Sequence, residues 1–97
     1  MEHEIDGILW FDRGLGHQGI KAIGTRKGKW ALTVASAIVR MDGGDRFFLI
    51  DPMNEVKVYI HVVRPEGDAP YLRTYATDRW TDHLIALPAL TDIEMID

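Results

Sequence analysis

The sequence predicts an α+β fold, a small, mostly antiparallel sheet of four or five strands with one helix packed on one face. Three observations predict it. Residues 55–64 alternate, with Val56, Val58, Ile60 and Val62 on one face and Lys57, Tyr59 and His61 on the other. Trp30, Val34, Ile38 and Met41 recur at spacings of four, four and three, the stripe of a helix. Clusters of Gly, Pro and Asp cut the remainder into short segments rich in β-branched and aromatic residues.

Residues 5–11 read as the first strand, because Ile5, Ile8, Leu9, Trp10 and Phe11 suit a half-buried pleat. Asp12-Arg13-Gly14 breaks it, and Gly14, Gly16 and Gly19 make a flexible loop. Residues 20–26 form a second strand anchored by Ile23, with Gly24 at a place suited to a bulge. The helix spans residues 30–41, and Lys29, Thr33, Ser36 and Arg40 make its polar face. A strand is disfavoured there because Ala31, Ala35, Ala37 and Val39 occupy what would be its polar side. Gly43-Gly44 ends the helix, since glycine adopts the left-handed exit conformation at least cost.

Residues 46–50 and 55–64 are strands joined by the turn Asp51-Pro52-Met53-Asn54, and the two are expected to pair as a hairpin. Pro65-Glu66-Gly67-Asp68 is a surface turn. Residues 71–76 form a further strand, with Tyr71, Arg73 and Tyr75 on one face and Leu72, Thr74 and Ala76 on the other. Thr77-Asp78-Arg79 turns into Trp80 and the apolar Leu84-Ile85-Ala86-Leu87, which Pro88 closes. Residues 91–97 carry Asp92, Glu94 and Asp97 and read as an acidic tail, frayed or loosely docked. The expected core is Trp30, Val34, Ile38, Leu49, Val56, Val58, Ile60, Val62, Leu72, Trp80, Leu84 and Leu87. Trp10 is expected to be partly exposed.

Ninety-seven residues make one domain, too short for a complete dinucleotide-binding fold or a barrel enzyme. Hydrophobic residues at 46% exclude a disordered chain. A net charge of −4 and a pI near 5.5 argue against a coat for duplex DNA. Without cysteine there is no disulfide, thiol catalysis or thiolate zinc site, in keeping with a cytoplasmic location. Met1-Glu2-His3-Glu4 lacks the basic start of a secretory signal, and no apolar run reaches spanning length, so no membrane partner is expected.

Tyr71-Leu72-Arg73-Thr74-Tyr75-Ala76, followed by Trp80-Thr81-Asp82, Leu84, Leu87 and Pro88, resembles the closing signature of a bacterial and phage family, domain of unknown function 3892. That signature reads Tyr-Leu-x-Thr-Tyr-Ala-Asp-Gly-x-Trp-Thr-Asp-Asn-Leu-Leu-x-Leu-Pro. The resemblance covers residues 20–90 in element order and is specific over the last stretch, where Thr74, Trp80, Thr81, Asp82, Leu84 and Pro88 are its structural motif. Residues 1–19, the first strand and the glycine-rich loop, do not align. Thr77-Asp78 replaces Asp-Gly, which puts a two-residue type I′ turn in doubt, and His83 replaces Asn. The resemblance implies a fold and a bacterial or phage origin, and it brings no activity and no catalytic residue.

Gly14-Leu15-Gly16-His17-Gln18-Gly19 matches GxGxxG, yet a strand rather than a helix is expected after it, so it reads as a connector. His3, His17, His61 and His83 have no zinc-like spacing, and no metal or cofactor is expected. Ser36 lies on the helix, away from any nucleophile turn. Asp82 is expected to accept backbone hydrogen bonds in the turn after Trp80. The informative surface is the polar face of the strands at 55–64 and 71–76, where Lys57, Tyr59, His61, Tyr71, Arg73 and Tyr75 cluster if the two pair. Such a face either stacks unpaired bases, with Lys21, Arg26, Lys27 and Lys29 extending it, or covers a second, minor core.

The leading expectation is therefore a small non-catalytic module that binds a protein partner. A weak single-stranded nucleic-acid binder is the alternative, and a carboxylate–histidine site around His61 or Asp82 is the third. An exposed edge strand would also permit a homodimer.

Overall fold

Among residues 1–91 and 93–96, which the computed structural model describes, the chain builds two sheets and not one. The α+β class stands. The single sheet with a single helix is overturned by a five-stranded sheet, a four-stranded sheet, an α-helix and a 3-10 helix. In chain order the strands are β1 (Glu2–Glu4), β2 (Gly7–Trp10), β3 (Ile20–Thr25), β4 (Trp30–Thr33), β5 (Arg46–Ile50), β6 (Lys57–Val63), β7 (Tyr71–Ala76), β8 (Arg79–Thr81) and β9 (Glu94–Met95). The 3-10 helix covers Arg13–Gly19 and α1 covers Val34–Asp42. One sheet runs β1-β5-β6-β7-β8 and the other β2-β3-β4-β9. Neighbours are antiparallel except β1 with β5 and β4 with β9.

One sheet becomes two at a single corner. The Ile5 N–H donates to the Phe48 carbonyl at 2.8 Å, in the first sheet, and the Asp6 N–H donates to the Gly24 carbonyl at 2.9 Å, in the second. Asp6 fixes the corner by accepting the Arg26 N–H on Oδ1 at 2.7 Å. The strand expected over residues 5–11 is thus shortened to β2, and β1 precedes it. Glu2-His3-Glu4 has no apolar pattern to betray a strand, because β1 lies at a sheet edge and is held by its backbone.

Residues 30–41 are the second correction. Trp30–Thr33 is strand, and only from Val34 does the chain turn helical. Leu32 packs in the main core, while Ala31 packs with Ala22 and Leu90 on the other side of the sheet. A strand covered on both faces loses its alternation, and this one then imitates a helix stripe. Thr33 ends the strand and caps the helix, its Oγ1 accepting the Ser36 N–H at 3.2 Å. Gly44, at φ 110°, takes the chain out of α1.

The main core joins the row Ile8–Ile23–Leu32 of the smaller sheet to Phe47, Leu49, Val58, Ile60 and Leu72 of the larger, with Ile5, Ile38 and Leu84 between. Of the expected core, Val56 and Trp80 are exposed, at 54% and 42%. Val56 precedes β6 and lies outside the pleat, and Trp80 points to the far face of its sheet. On the outer side of the smaller sheet runs a row of small residues, Gly7, Gly24 and Ala31. Over it lies the segment that ends the chain. Leu90 N–H donates to Ile8 O and Ile96 N–H to Ala31 O, each at 2.9 Å. Of the two readings of the tail, frayed or loosely docked, the pairing of β9 with β4 fits the docked one, with Asp92 and Asp97 outside the described residues.

The segment expected as a loop holds two 3-10 turns that meet at a non-helical Gly16, φ 62°, the first capped by Asp12, whose Oδ1 accepts the Gly14 N–H at 2.9 Å. Strand β3 follows it directly, as the connector reading requires. The β7–β8 connection is two residues long, with Ala76 opposite Arg79. Thr77 and Asp78 have φ of 54° and 62°, so the type I′ turn is present although neither residue is glycine or asparagine.

Two stability changes of opposite sign follow. Asp78→Gly relieves a left-handed conformation and is expected to raise the urea midpoint by the equivalent of about 1 kcal/mol at unchanged slope. Gly24→Ala places a methyl against the Trp30 carbonyl oxygen and Ala31. It is expected to lower stability by about 1–3 kcal/mol in the same titration.

Candidate functional site

Register brings the expected face together. Tyr59 lies opposite Tyr75, His61 opposite Arg73 and Val63 opposite Tyr71, so Lys57, Tyr59, His61, Tyr71, Arg73 and Tyr75 share the outer side of the larger sheet. Val58, Ile60, Leu72 and Thr74 fill the inner side. Neighbouring strands add Phe48, opposite Tyr59, and Trp80, opposite Tyr75.

The face has three parts. At one end Glu2 gathers the cations: Lys57 Nζ donates to Oε1 at 3.2 Å, Arg46 stands at 3.8 Å, and the Tyr59 hydroxyl donates to the carboxylate at 3.2 Å. The Lys57 bond is the foremost reason that the Glu2 carboxyl is held below its ordinary value, against the opposing effect of desolvation. Arg46 lies 4.5 Å over the Tyr59 ring and Lys57 4.5 Å over Phe48. Phe48 is buried beneath this cover.

The middle is aromatic. Tyr75 and Trp80 pack with centroids 5.1 Å apart at 82°, and His61 meets Tyr75 at 5.8 Å and Trp80 at 6.4 Å, also edge to face. Tyr75 is 38% exposed and Trp80 42%.

At the far end Arg73 donates from Nε to the Thr81 carbonyl at 3.0 Å and from Nη2 to Asp82 Oδ1 at 2.9 Å. Asp82 therefore accepts a guanidinium where backbone donors were expected. Here the 3-10 helix leans over β7, bringing His17 within 6.5 Å of the Tyr71 ring. His17 is half-buried, and its buried Nε2, 3.8 Å from Asp82 Oδ1, has no hydrogen-bond partner. Burial, then the nearby Arg73, pushes its pKa down, with Asp82 pulling the other way.

Of the motif residues, Thr74 and Leu84 are fully buried, whereas Trp80, Asp82 and Pro88 are exposed. Sequence reasoning assigned Trp80 to packing. The signal that would have placed it on the face is the turn: a two-residue connection sets Trp80 opposite Tyr75. His61 stands among aromatic rings, and the histidines hydrogen-bonded to a carboxylate among the described residues are His83, 3.0 Å from Asp51, and His3, 3.2 Å from Asp45. Among the described residues no group of three or more His, Cys, Asp or Glu is placed to hold a metal ion. No described helix is long and apolar enough to cross a membrane.

No model of a known protein family, no curated protein and no solved structure matches this chain. The likeness of residues 71–88 to the family signature rests on those residues alone.

His17 gives the face a pH signature. A histidine whose folded pKa lies below its unfolded value near 6.5 binds its proton more readily when the chain unfolds. Stability is therefore expected to fall as pH drops from 7 toward 5, and His17→Leu should flatten that part of the curve. Urea titrations of both proteins across this range check it, and they should run parallel above pH 7.5 or so.

Proposed function

We propose that the chain is a small cytoplasmic module that binds a protein partner through the outer face of its larger sheet. The observation that carries this reading is the half-exposed Tyr75–Trp80–His61 cluster at the centre of that face. Trp, Tyr and Arg are the side chains on which protein interfaces most depend. Glu2 and Asp82 frame the cluster with polar groups, as the rim of an interface does.

Two features weigh against the nucleic-acid alternative. The three rings stand at 71° to 83° to one another, so each edge covers a neighbour's face and no flat platform is left for a base. Lys57 and Arg46 share Glu2, and Arg73 is held by Asp82, so two carboxylates already offset most of the charge of the three cations of the face. Self-association by strand pairing is also disfavoured. The outermost strands are two to four residues long, and β2 is flanked by the bridge from Ile8 to Ala89.

The test is capture of partners from lysate on the tagged protein and on Trp80→Ala, each with and without nuclease. A protein retained after nuclease and bound at least about 30-fold more weakly by Trp80→Ala supports the reading. Material that vanishes with nuclease, together with tight binding of a single-stranded oligonucleotide, overturns it in favour of the alternative.

A further inference from the structure

Away from the aromatic face, side chains far apart in sequence form one hydrogen-bonded chain. Asp51, which opens the β5–β6 turn, lies with Oδ2 3.0 Å from His83 Nε2. His83 Nδ1 is 2.7 Å from Thr81 Oγ1, and Thr81 Oγ1 meets Thr74 Oγ1. Asp51 also accepts the Met53 N–H on Oδ1 at 2.9 Å, and that bond above all holds its carboxyl below the ordinary value.

The direction of each bond follows. An ionised carboxylate only accepts, so the nitrogen bonded to it, Nε2, carries the proton. In neutral His83 the lone pair then lies on Nδ1 and faces the Thr81 hydroxyl. Either of the Thr74 and Thr81 hydroxyls can donate to the other. When the fully buried Thr74 donates to Thr81 Oγ1 rather than to the Thr81 carbonyl 3.2 Å away, the Thr81 proton is released from that pair. Thr81 is left to direct its own proton at His83.

Hydroxyl, imidazole and carboxylate in that order constitute an activated nucleophile. Thr81 and His83 line a cleft of about 360 Å³ that also presents Lys57, Arg79 and Asn54. On the other side of the Asp51–His83 pair lies a cavity of about 480 Å³ with Leu49, Ile50, Met53 and Leu87 in its walls. One imidazole thus borders both a cleft that Arg79 lines and an apolar cavity of small-ligand size.

The geometry points to a second site, in which Thr81 Oγ1 is the nucleophile, His83 the general base and Asp51 its orienting carboxylate, acting on small carboxylic esters with an apolar acyl group. Thr81 Oγ1 bonds to the ester carbonyl carbon as its proton passes to His83 Nδ1. The charge on the carbonyl oxygen develops in the cleft that Arg79 lines. The bond from that carbon to the alcohol oxygen then breaks, and the alcohol leaves with the proton from His83. Water repeats the sequence on acyl-Thr81, releases the carboxylic acid and restores the hydroxyl. Asp51 stays ionised throughout. Thr74 is a positioning residue that acts through Thr81.

The rival account is a brace that merely ties the β5–β6 turn to β8. The probe that separates them is p-nitrophenyl acetate, with phenolate release followed optically and the acetyl group located by peptide mass mapping. Acetyl on Thr81 of the wild-type protein is the expected result. Its rate should fall at least about 100-fold in His83→Gln, vanish in the isosteric Thr81→Val, and persist in Thr81→Ser. Acid should slow the wild-type reaction through an ionisation that His83→Gln removes. Acetyl confined to lysines or the N-terminus overturns the assignment, as does a folded Thr81→Val with an undiminished rate. Mapping of the wild type needs no variant, so a substitution that unfolds the chain leaves the outcome decisive.

Discussion

Two consecutive peptide groups, those of Ile5 and Asp6, are committed to different sheets, one to Phe48 and the other to Gly24. The rest of the molecule depends on that corner. Ile5, 1% exposed, is buried where the two sheets meet, and Asp6 is tied to the backbone of Arg26. With the inner faces of both sheets turned to one core, each sheet has one outer face left. The outer face of the smaller sheet is built of Gly7, Gly24 and Ala31, and Leu90 closes over it. Large aromatic and charged side chains occupy the other. A small row invites close approach of backbone, and a large row forbids it.

Local pattern explains what could be read from the sequence. Strands β5 and β7 coincide with the expected 46–50 and 71–76, because β7 presents one apolar and one more polar side and β5 is a short apolar run set between Gly43-Gly44 and Asp51-Pro52. The sharing of one face by Lys57, Tyr59, His61, Tyr71, Arg73 and Tyr75 follows from the same period of two. Where the pattern depends on distant partners, it misleads. Strand β4 is covered on both faces, β1 lies at an edge with charged side chains, and β9 holds two residues of a segment that reads as tail. The pair Asp51 and His83 stands 32 positions apart, and no spacing rule links a β-turn aspartate to a histidine beyond a later hairpin. Each of these is a long-range pairing, legible only once the strands are assembled.

The cations of the outer face find their partners in segments distant in sequence. Interleaved Lys, Arg and Tyr describe a nucleic-acid platform only while their counterions are unknown. Glu2 comes from a strand paired in parallel with β5, and Asp82 from the chain just beyond β8. Both lie outside the hairpin, and both answer its cations. Beside these ion pairs the face presents aromatic area, and aromatic side chains act through desolvation and shape rather than salt-sensitive attraction.

Residues 80 to 83 bind the two sites into one piece of chain. Trp80 packs on the outer cluster and Asp82 holds Arg73 there. Thr81 and His83, alternating with them, carry the chain to Asp51. Thr81 belongs to both, since its carbonyl accepts Arg73 Nε while its hydroxyl faces His83. A partner that draws Arg73 or Trp80 outward would strain the same peptide that orients the hydroxyl. The Thr81 carbonyl also lies 3.2 Å from the Thr74 hydroxyl. When His83 is protonated, Nδ1 donates to Thr81 Oγ1, Thr81 donates to Thr74 Oγ1, and Thr74 donates to that carbonyl. Every donor remains satisfied while the Nδ1–Thr81 and Thr81–Thr74 bonds reverse and Nε2 goes on donating to Asp51, so loading the imidazole with a proton leaves no polar group unpaired along this path.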